Sequence, residues 1–209
     1  MHIVKVANKG DEHLKSQTII KEDIDNQKYY LFTKRCLDIL GASFGIVLLL
    51  FVFVIIAILI KFEDRKGPVF FKQKRIGKNG NEFYMYKFRS MVTDAELKLK
   101  DLLEQNEVSG AMFKMKEDPR VTKIGKLIRK TSLDELPQLW NVLKGDMSLV
   151  GPRPPLPREV EEYTTHDRQR LLVTPGCTGL WQVSGRSNLS FEEMVNLDLY
   201  YIKKRTVIM

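Results

Sequence analysis

LDILGASFGIVLLLFVFVIIAILI, residues 37–60, is a run of 24 residues with a single charge, Asp38. At about 1.5 Å per residue, a helix of that length reaches across a hydrocarbon layer of about 30 Å, so the run predicts a membrane helix. The competing reading is a buried globular helix, and the length and apolarity of the run argue against it. Lys34 and Arg35 precede the run, and Lys61, Arg65 and Lys66 follow it. Basic residues at both ends give the positive-inside rule no preferred direction for a spanning helix. A helix that enters and leaves on one side would satisfy both. No proline supplies the bend, and Gly41, Ser43 and Gly45 are the only weak points. Tyr29, Tyr30 and Phe32 bring aromatic rings up to the first basic pair, the mixture found at a membrane interface.

Outward from that run, the chain divides into three parts: a polar arm over residues 1–33, the membrane segment over 34–62, and a domain over 63–209. The arm is mixed in charge and lacks the apolar core and small-residue cleavage site of a signal peptide. The chain has 209 residues, enough for one domain with a real core. Its formal charge of +8 points to an anionic partner: nucleic acid, anionic lipid or a phosphorylated substrate. Two cysteines, Cys36 and Cys177, give neither a disulfide framework nor metal-ligand spacing. A reducing compartment fits, and a structural zinc site does not.

Past the apolar run the period changes. PVFFKQKRIG and NEFYMYKFRSM favour strands, and Lys78, Asn79 and Gly80 between them are a strong hairpin-turn signal. Lys72, Lys74, Arg75, Lys87 and Arg89 make that hairpin basic, as either a solvated face beside anionic lipid or a phosphate-binding one. Residues 93–108 predict an amphipathic helix, with a Thr93–Glu96 capping box and a stripe of Leu99, Leu102 and Leu103. A turn at Asp118-Pro119 leads to a short basic helix that presents Ile124, Leu127 and Ile128 on one face, suited to a membrane interface. Residues 158–173 predict a charged helix, 174–188 a Gly-rich loop, and a further helix starts from an N-cap at Ser190. Asp198 is the odd charge in that last helix.

Between these parts lies RKTSLDELPQLWNVLKGDMSLVGPR, residues 129–153. Ser132 and Glu135 fit a capping box; with Asp134 as the cap instead, Pro137 stays in the first turn. Either choice puts Asp134 and Glu135 at the positive end of a helix dipole, which favours their ionised forms. For an isolated SLDE, a capped helix is the ordinary meaning. Its surroundings suggest more: clustered cations, an adjacent acidic pair, and a loop stiffened by Pro152, Pro154, Pro155 and Pro157 that fixes Arg153 as an anion clamp. Phosphoryl transfer needs positioning, charge neutralisation and usually magnesium, which one or two carboxylates commonly hold. Neighbours on a helix point about 100° apart, so the two carboxylates take different tasks. One can hold a metal while the other attacks phosphorus. No G-x-x-x-x-G-K-[ST] loop and no G-x-G-x-x-G is present.

KRCLDILG with its apolar run, GPVFFKQKRIGKNG, YKFRSM, DPRVTKIGKLIRKTSLDELPQLWNVLKGDMSLVGPRP and PGCTGLWQVSGRS together resemble the bacterial sugar transferase family. These are the monotopic polyprenyl-phosphate glycosyl-1-phosphate transferases. The resemblance covers roughly Lys34 to Lys203. It implies an α/β, mostly α fold: a re-entrant membrane helix, then a small helical cytoplasmic domain with a β-hairpin and interfacial amphipathic helices. It implies transfer of a sugar 1-phosphate from a UDP-sugar to undecaprenyl phosphate, with UMP released, at the cytoplasmic face of the bacterial inner membrane. Asp134 would be the nucleophile of the pair, forming a covalent phospho-sugar intermediate, and Glu135 would bind Mg²⁺. Arg129 and Arg153 match arginines near the transferred phosphate, and Lys87, Arg89, Arg186 and Asp198 fall in motifs lining the site. The implied partners are a UDP-sugar, undecaprenyl phosphate and membrane lipid. Nucleic acid is not among them, and a homo-oligomer is left open.

Two departures from the pattern stand out. The family carries a proline near the middle of its re-entrant helix, where this chain has Leu50-Phe51-Val52. It also continues past a YYIKK-like segment into a W-x-L-D-x-K-I stretch, whereas this chain ends at Met209, which reads as either a truncated or a divergent member, with reduced activity as an open outcome. A catalytically impaired membrane scaffold is the alternative that this ending favours. A membrane-anchored nucleic-acid-binding protein would take GKLIRKTSLDELPQLWNVL as a helix-turn-helix, against which stand Pro137 and the lack of a second basic recognition helix.

Overall fold

The computed structural model describes residues 19, 21–102, 115, 117–185 and 189–206. The apolar run does not form one straight helix. It is divided between α1 (Lys28–Leu48) and α2 (Leu50–Glu63), which meet at Leu49 with a bend of 60°. Among the described residues no single helix is long and apolar enough to cross a membrane, although the bent pair passes that test by length and composition. The break falls one turn beyond Gly45 rather than at the expected weak points. Leu49, at φ −96° and ψ 8°, leaves helical geometry while its N–H still bonds to Gly45 O at 3.0 Å.

Packing accounts for the bend without a proline. Ala42 of α1 is wholly buried in a cluster with Met85, Val142 and Met147. Ile56 and Ile60 of α2 belong to a different cluster, with Phe88 and Ile128. Each arm docks on its own core, and the helix breaks where the two directions part. The opposite faces of both arms stay exposed, with Phe44 68 %, Val47 75 % and Phe51 74 % accessible. Contiguous apolar surface on this scale marks a contact with membrane or partner.

The hairpin forms as expected. Strands β1 (Phe70–Ile76) and β2 (Glu82–Phe88) run antiparallel, with Phe70 opposite Phe88 and Ile76 opposite Glu82. Asn79 and Gly80 both take positive φ in the turn, which is why Asn-Gly suits it. Helix α3 (Ala95–Leu102) covers the first part of the segment predicted over 93–108, and the remainder lies outside the described residues. Helix α4 (Lys123–Lys130) starts from Thr122, whose hydroxyl accepts from Gly125 N at 2.9 Å. It buries Ile128 and leaves Leu127 55 % exposed. Helix α5 (Gln138–Lys144) ends at Gly145, whose φ is 92°.

Two expectations change in the C-terminal half. Residues 158–173 form no continuous helix: short helices Pro157–Glu161 and Thr165–Arg168 are followed by a 3-10 turn, Gln169–Leu172. The two loops predicted around residues 145 and 175 pair as short parallel strands, β3 (Ser148–Val150) and β4 (Gly176–Thr178), followed by a short helix, Leu180–Ser184. Their backbones approach very closely. Gly151 N donates to Thr178 O and Gly176 N to Pro152 O, both at 2.8 Å, and a Cβ on Gly176 would lie 2.1 Å from Gly151 N. Helix α6 (Phe191–Lys204) starts at the expected N-cap, Ser190, which also forms a capping box with Glu193. It packs Val195, Leu199 and Ile202 against Val173 and Ile24 in a third cluster. Among the described residues the architecture is therefore mostly helical, with two small two-stranded sheets.

The contact between the two loops generates a stability test. Gly176→Ala forces backbone against backbone and should cost about 2–3 kcal/mol, whereas Gly80→Ala, with nothing within 4 Å but a positive φ, should cost about 1 kcal/mol. Thermal or denaturant melts of the two variants compare them directly.

Candidate active site

Asp134 and Glu135 lie in a 3-10 turn, Leu133–Glu135, between α4 and α5. Neither predicted cap forms. Ser132 takes a left-handed conformation, φ 57°, with no side-chain cap bond, and Pro137 is the residue at the N-cap of α5. Thr131, at the end of α4, turns its hydroxyl back to Leu127 O at 3.0 Å, and the chain reverses at Ser132. Leu133 and Leu136 then pack against the cluster of Ile56, Ile60, Phe88 and Ile128, which draws the turn inward. Asp134 is left 7 % exposed.

That burial sets its electrostatics. Desolvation raises the Asp134 carboxyl above the ordinary carboxylate range, and the Glu135 charge adds to the rise. Lys87 and Arg129 pull in the other direction. The helix end was expected to favour the ionised form, and here burial outweighs it. Glu135 is half-exposed and accepts from Lys87 Nζ at 2.6 Å. Lys87 reaches it because α5 is docked on the edge of β2 by Asn141, which is wholly buried. The Asn141 side chain accepts from Tyr86 N at 3.0 Å and donates to Tyr84 O at 2.7 Å.

Lys87, Arg129, Asp134 and Glu135 are thus brought together. Arg89 is not: it pairs with Asp64 at the end of α2, Nη1 to Oδ2 at 2.5 Å and Nη2 to the Asp64 carbonyl at 3.2 Å. Next to Asp64, Glu63 accepts from Lys123 N and Ile124 N at 2.7 and 3.1 Å, capping α4 from a distance of 60 residues. The last residues of α2 therefore hold both the strand that presents Lys87 and the helix that presents Arg129. Arg153 lies 3.7 Å from the buried Glu159 and acts electrostatically on Arg75 and Asp198. Arg186 lies outside the described residues.

Asp198 is wholly buried in an ion pair with Arg170, at 2.8 Å from Nε and 2.6 Å from Nη2. Arg170 Nη1 also donates to Tyr163 Oη at 2.9 Å. Burial pushes the Asp198 carboxyl up to about 6 against the pull of Arg170, so it remains ionised at pH 7. Arg170, Asp64 and Glu159 were not singled out from the sequence. The only available signal for Arg170 was Asp198, a charge among apolar neighbours that needs a partner.

Among the described residues, no group of three or more His, Cys, Asp or Glu side chains is gathered to hold a metal. The half-exposed Glu135 carboxylate still fits magnesium if substrate phosphates supply further oxygens, the usual arrangement for that ion. A cleft of about 130 Å³ opens elsewhere, beside Lys34, Arg35, Lys78 and Arg205. Those cations already meet Asp38, the carbonyls of Val142 and Leu143, Asp25 and Gln27.

Residues 29–209 match the family model described as bacterial sugar transferase. Over 206 residues the chain is 49% identical to the galactosyl transferase CpsE of Streptococcus agalactiae serotype III (strain NEM316), covering 97% of this chain and 45% of that protein. It is 50% identical over 145 residues to the undecaprenyl-phosphate galactose phosphotransferase of Salmonella typhimurium, covering 68% of this chain and 30% of the relative. It is 42% identical over 174 residues to the exopolysaccharide production protein ExoY of Rhizobium meliloti (strain 1021), covering 81% and 76%. The chain spans less than half the length of the first two relatives.

The buried ion pair yields its own test. Removing one partner strands the other, so Asp198→Ala or Arg170→Met should each cost about 3–5 kcal/mol. The double variant Arg170→Met/Asp198→Leu should recover much of that loss in the same denaturant melts, because no uncompensated charge remains.

Proposed function

Because the chain belongs to the bacterial sugar transferase family, we propose that it moves a sugar 1-phosphate from a UDP-sugar to undecaprenyl phosphate, releasing UMP. The observation that carries this reading is the pairing of Lys87 with Glu135 at 2.6 Å beside the buried Asp134. A carboxylate withdrawn from water, with Lys87 and Arg129 opposing the cost of its charge, is a stronger nucleophile when ionised than a solvated one.

In the first step an Asp134 carboxylate oxygen attacks the phosphorus that bears the sugar. The bond from that phosphorus to the oxygen bridging the two phosphates breaks, and UMP leaves with the bridging oxygen. The enzyme retains an aspartyl phospho-sugar. In the second step an oxygen of undecaprenyl phosphate attacks the same phosphorus, breaks the acyl-phosphate bond and restores the Asp134 carboxylate. Arg129 and Arg153 bind phosphate oxygens, and Lys87 holds Glu135 in place. When bound, magnesium would neutralise phosphate charge, and Glu135 would hold it together with substrate phosphate oxygens.

The exposed apolar faces of α1 and α2 support placement in a membrane. A bend of 60° with basic residues at both ends suits a segment that enters and leaves on the cytoplasmic face. In this reading Leu49 does the work of the family's proline.

The direct assay incubates detergent-extracted protein with Mg²⁺, undecaprenyl phosphate and a panel of UDP-sugars, and follows UMP. At least one sugar should give UMP above background, and none doing so sinks the proposal. Asp134→Asn should lower transfer by more than about 10³ and abolish a trappable phospho-sugar adduct; Glu135→Gln should mainly weaken the magnesium dependence.

The pH dependence of stability has a definite sign. Because folding raises the Asp134 carboxyl pKa, any stability from that group is present at low pH and is lost as pH rises through the folded value. Asp134→Asn should therefore melt at or above the wild-type temperature at pH 7, with the difference shrinking as pH falls toward about 4. For topology, single cysteines near residues 20 and 70, in a background lacking Cys36 and Cys177, should label from the same side. Opposite accessibility would mean that the segment spans the bilayer.

A further inference from the structure

Strand β1 carries a guanidinium that the proposed reaction does not use. Arg75 is 6 % exposed. Its Nη1 donates to Pro154 O at 3.0 Å and its Nη2 to Gln73 Oε1 at 2.7 Å, while Nε is buried without an acceptor. Among the described residues no carboxylate lies within ion-pairing distance of it; Glu159 and Glu135 act on it from farther away, and Arg153 opposes it. Burial and Arg153 bring it down to about 10, so it is still charged at pH 7. An apolar side chain would fill this space at lower cost in desolvation.

The geometry around it shows what the fork does. Arg153 stands between Pro152 and the pair Pro154-Pro155. Proline has no N–H, so the loop after Arg153 can be hydrogen-bonded through the backbone only at its carbonyls. Arg75 supplies a donor to the first of these, and Ile76 N supplies one to Pro155 O at 3.0 Å. From the other direction, Glu159 lies 3.7 Å from Arg153 and accepts from Leu156 N at 2.8 Å. The end of β1 thus ties down the two residues that follow Arg153. The same hairpin carries Lys87, which bonds Glu135, on its second strand.

We propose that Arg75 is a positioning residue that acts through Arg153: by gripping the Pro154 carbonyl it sets where the Arg153 guanidinium meets the diphosphate of the nucleotide sugar. This rests on the transfer reaction proposed above. Lysine cannot replace it, because a single ammonium on a flexible stem does not span Pro154 O and Gln73 Oε1 as a rigid fork does.

A double-mutant cycle tests it, with Arg75→Lys, Arg153→Ala and the combination. Three quantities are measured: KM for the active UDP-sugar and kcat for UMP release, Kd for UDP by calorimetry, and melting temperature. Arg75→Lys should raise KM and the UDP Kd about tenfold, leaving kcat within about threefold of wild type. In the Arg153→Ala background the same change should add less than about twofold, since the group it positions is gone. Gln73→Leu, which removes one support of the fork, should shift KM in the same direction by a smaller factor and serves if Arg75→Lys folds poorly. Independent, multiplicative effects of the two substitutions would overturn the proposal, as would a fall in melting temperature with KM and Kd unchanged. If wild-type protein releases no UMP from any sugar, the reaction itself fails, and the UDP titrations still decide whether Arg75 and Arg153 are coupled.

Discussion

The apolar segment is buried on two different cores at once, and most of the site follows from that constraint. Ala42 is tied to Met85, Val142 and Met147, while Ile56 and Ile60 are tied to Phe88 and Ile128. A straight helix cannot satisfy both sets, so the backbone breaks at Leu49. The second arm then ends where Glu63 and Asp64 reach the start of α4 and the end of β2. Arg129 and Lys87 approach the acidic pair from those two elements. The portion of the chain most suited to lipid is in this way mechanically continuous with the portion most suited to phosphate.

Burial competes with attraction throughout the domain, and the winner differs from place to place. Around Asp134, two cations reduce but do not cancel the cost of withdrawing a carboxylate from water. At Asp198 a guanidinium with two short contacts keeps the carboxylate ionised at pH 7 although its titration moves up to about 6. Arg75 has no carboxylate partner among the described residues and is held there by neutral acceptors. Such sites are costly to stability, and two of the three border the proposed reaction centre. Buried groups with perturbed titration cluster at functional sites for this reason.

Local signals in the sequence served best where the structure is local. Asn79-Gly80 marked its turn, since only a few residue types tolerate positive φ at both positions. Ser190, read as an N-cap, caps its helix because its acceptor and the N–H of Glu193 lie on one helical turn. The same logic failed at Ser132 and Glu135, whose spacing fits a box just as well. There the packing of Leu133 and Leu136 into the core twisted Ser132 into a left-handed conformation. A pattern of four residues cannot register a pull exerted by α2, more than 60 residues upstream.

The sequence by itself determined that an apolar segment stands beside a basic domain, that a hairpin follows it, and that an acidic pair lies between arginines. Composition, short-range turn chemistry and motif order suffice for these, because each depends on residues close together in the chain. Only the tertiary structure decided that the apolar run bends without a proline, that Lys87 meets Glu135 while Arg89 is taken by Asp64, and that Asp198 is buried against Arg170. Each of those outcomes is a choice among partners that lie far apart in sequence. Charge alone cannot make it, since every lysine and arginine is attracted to every carboxylate. The shape of the packed core selects which pairs come within reach, and that shape exists only once the chain has folded.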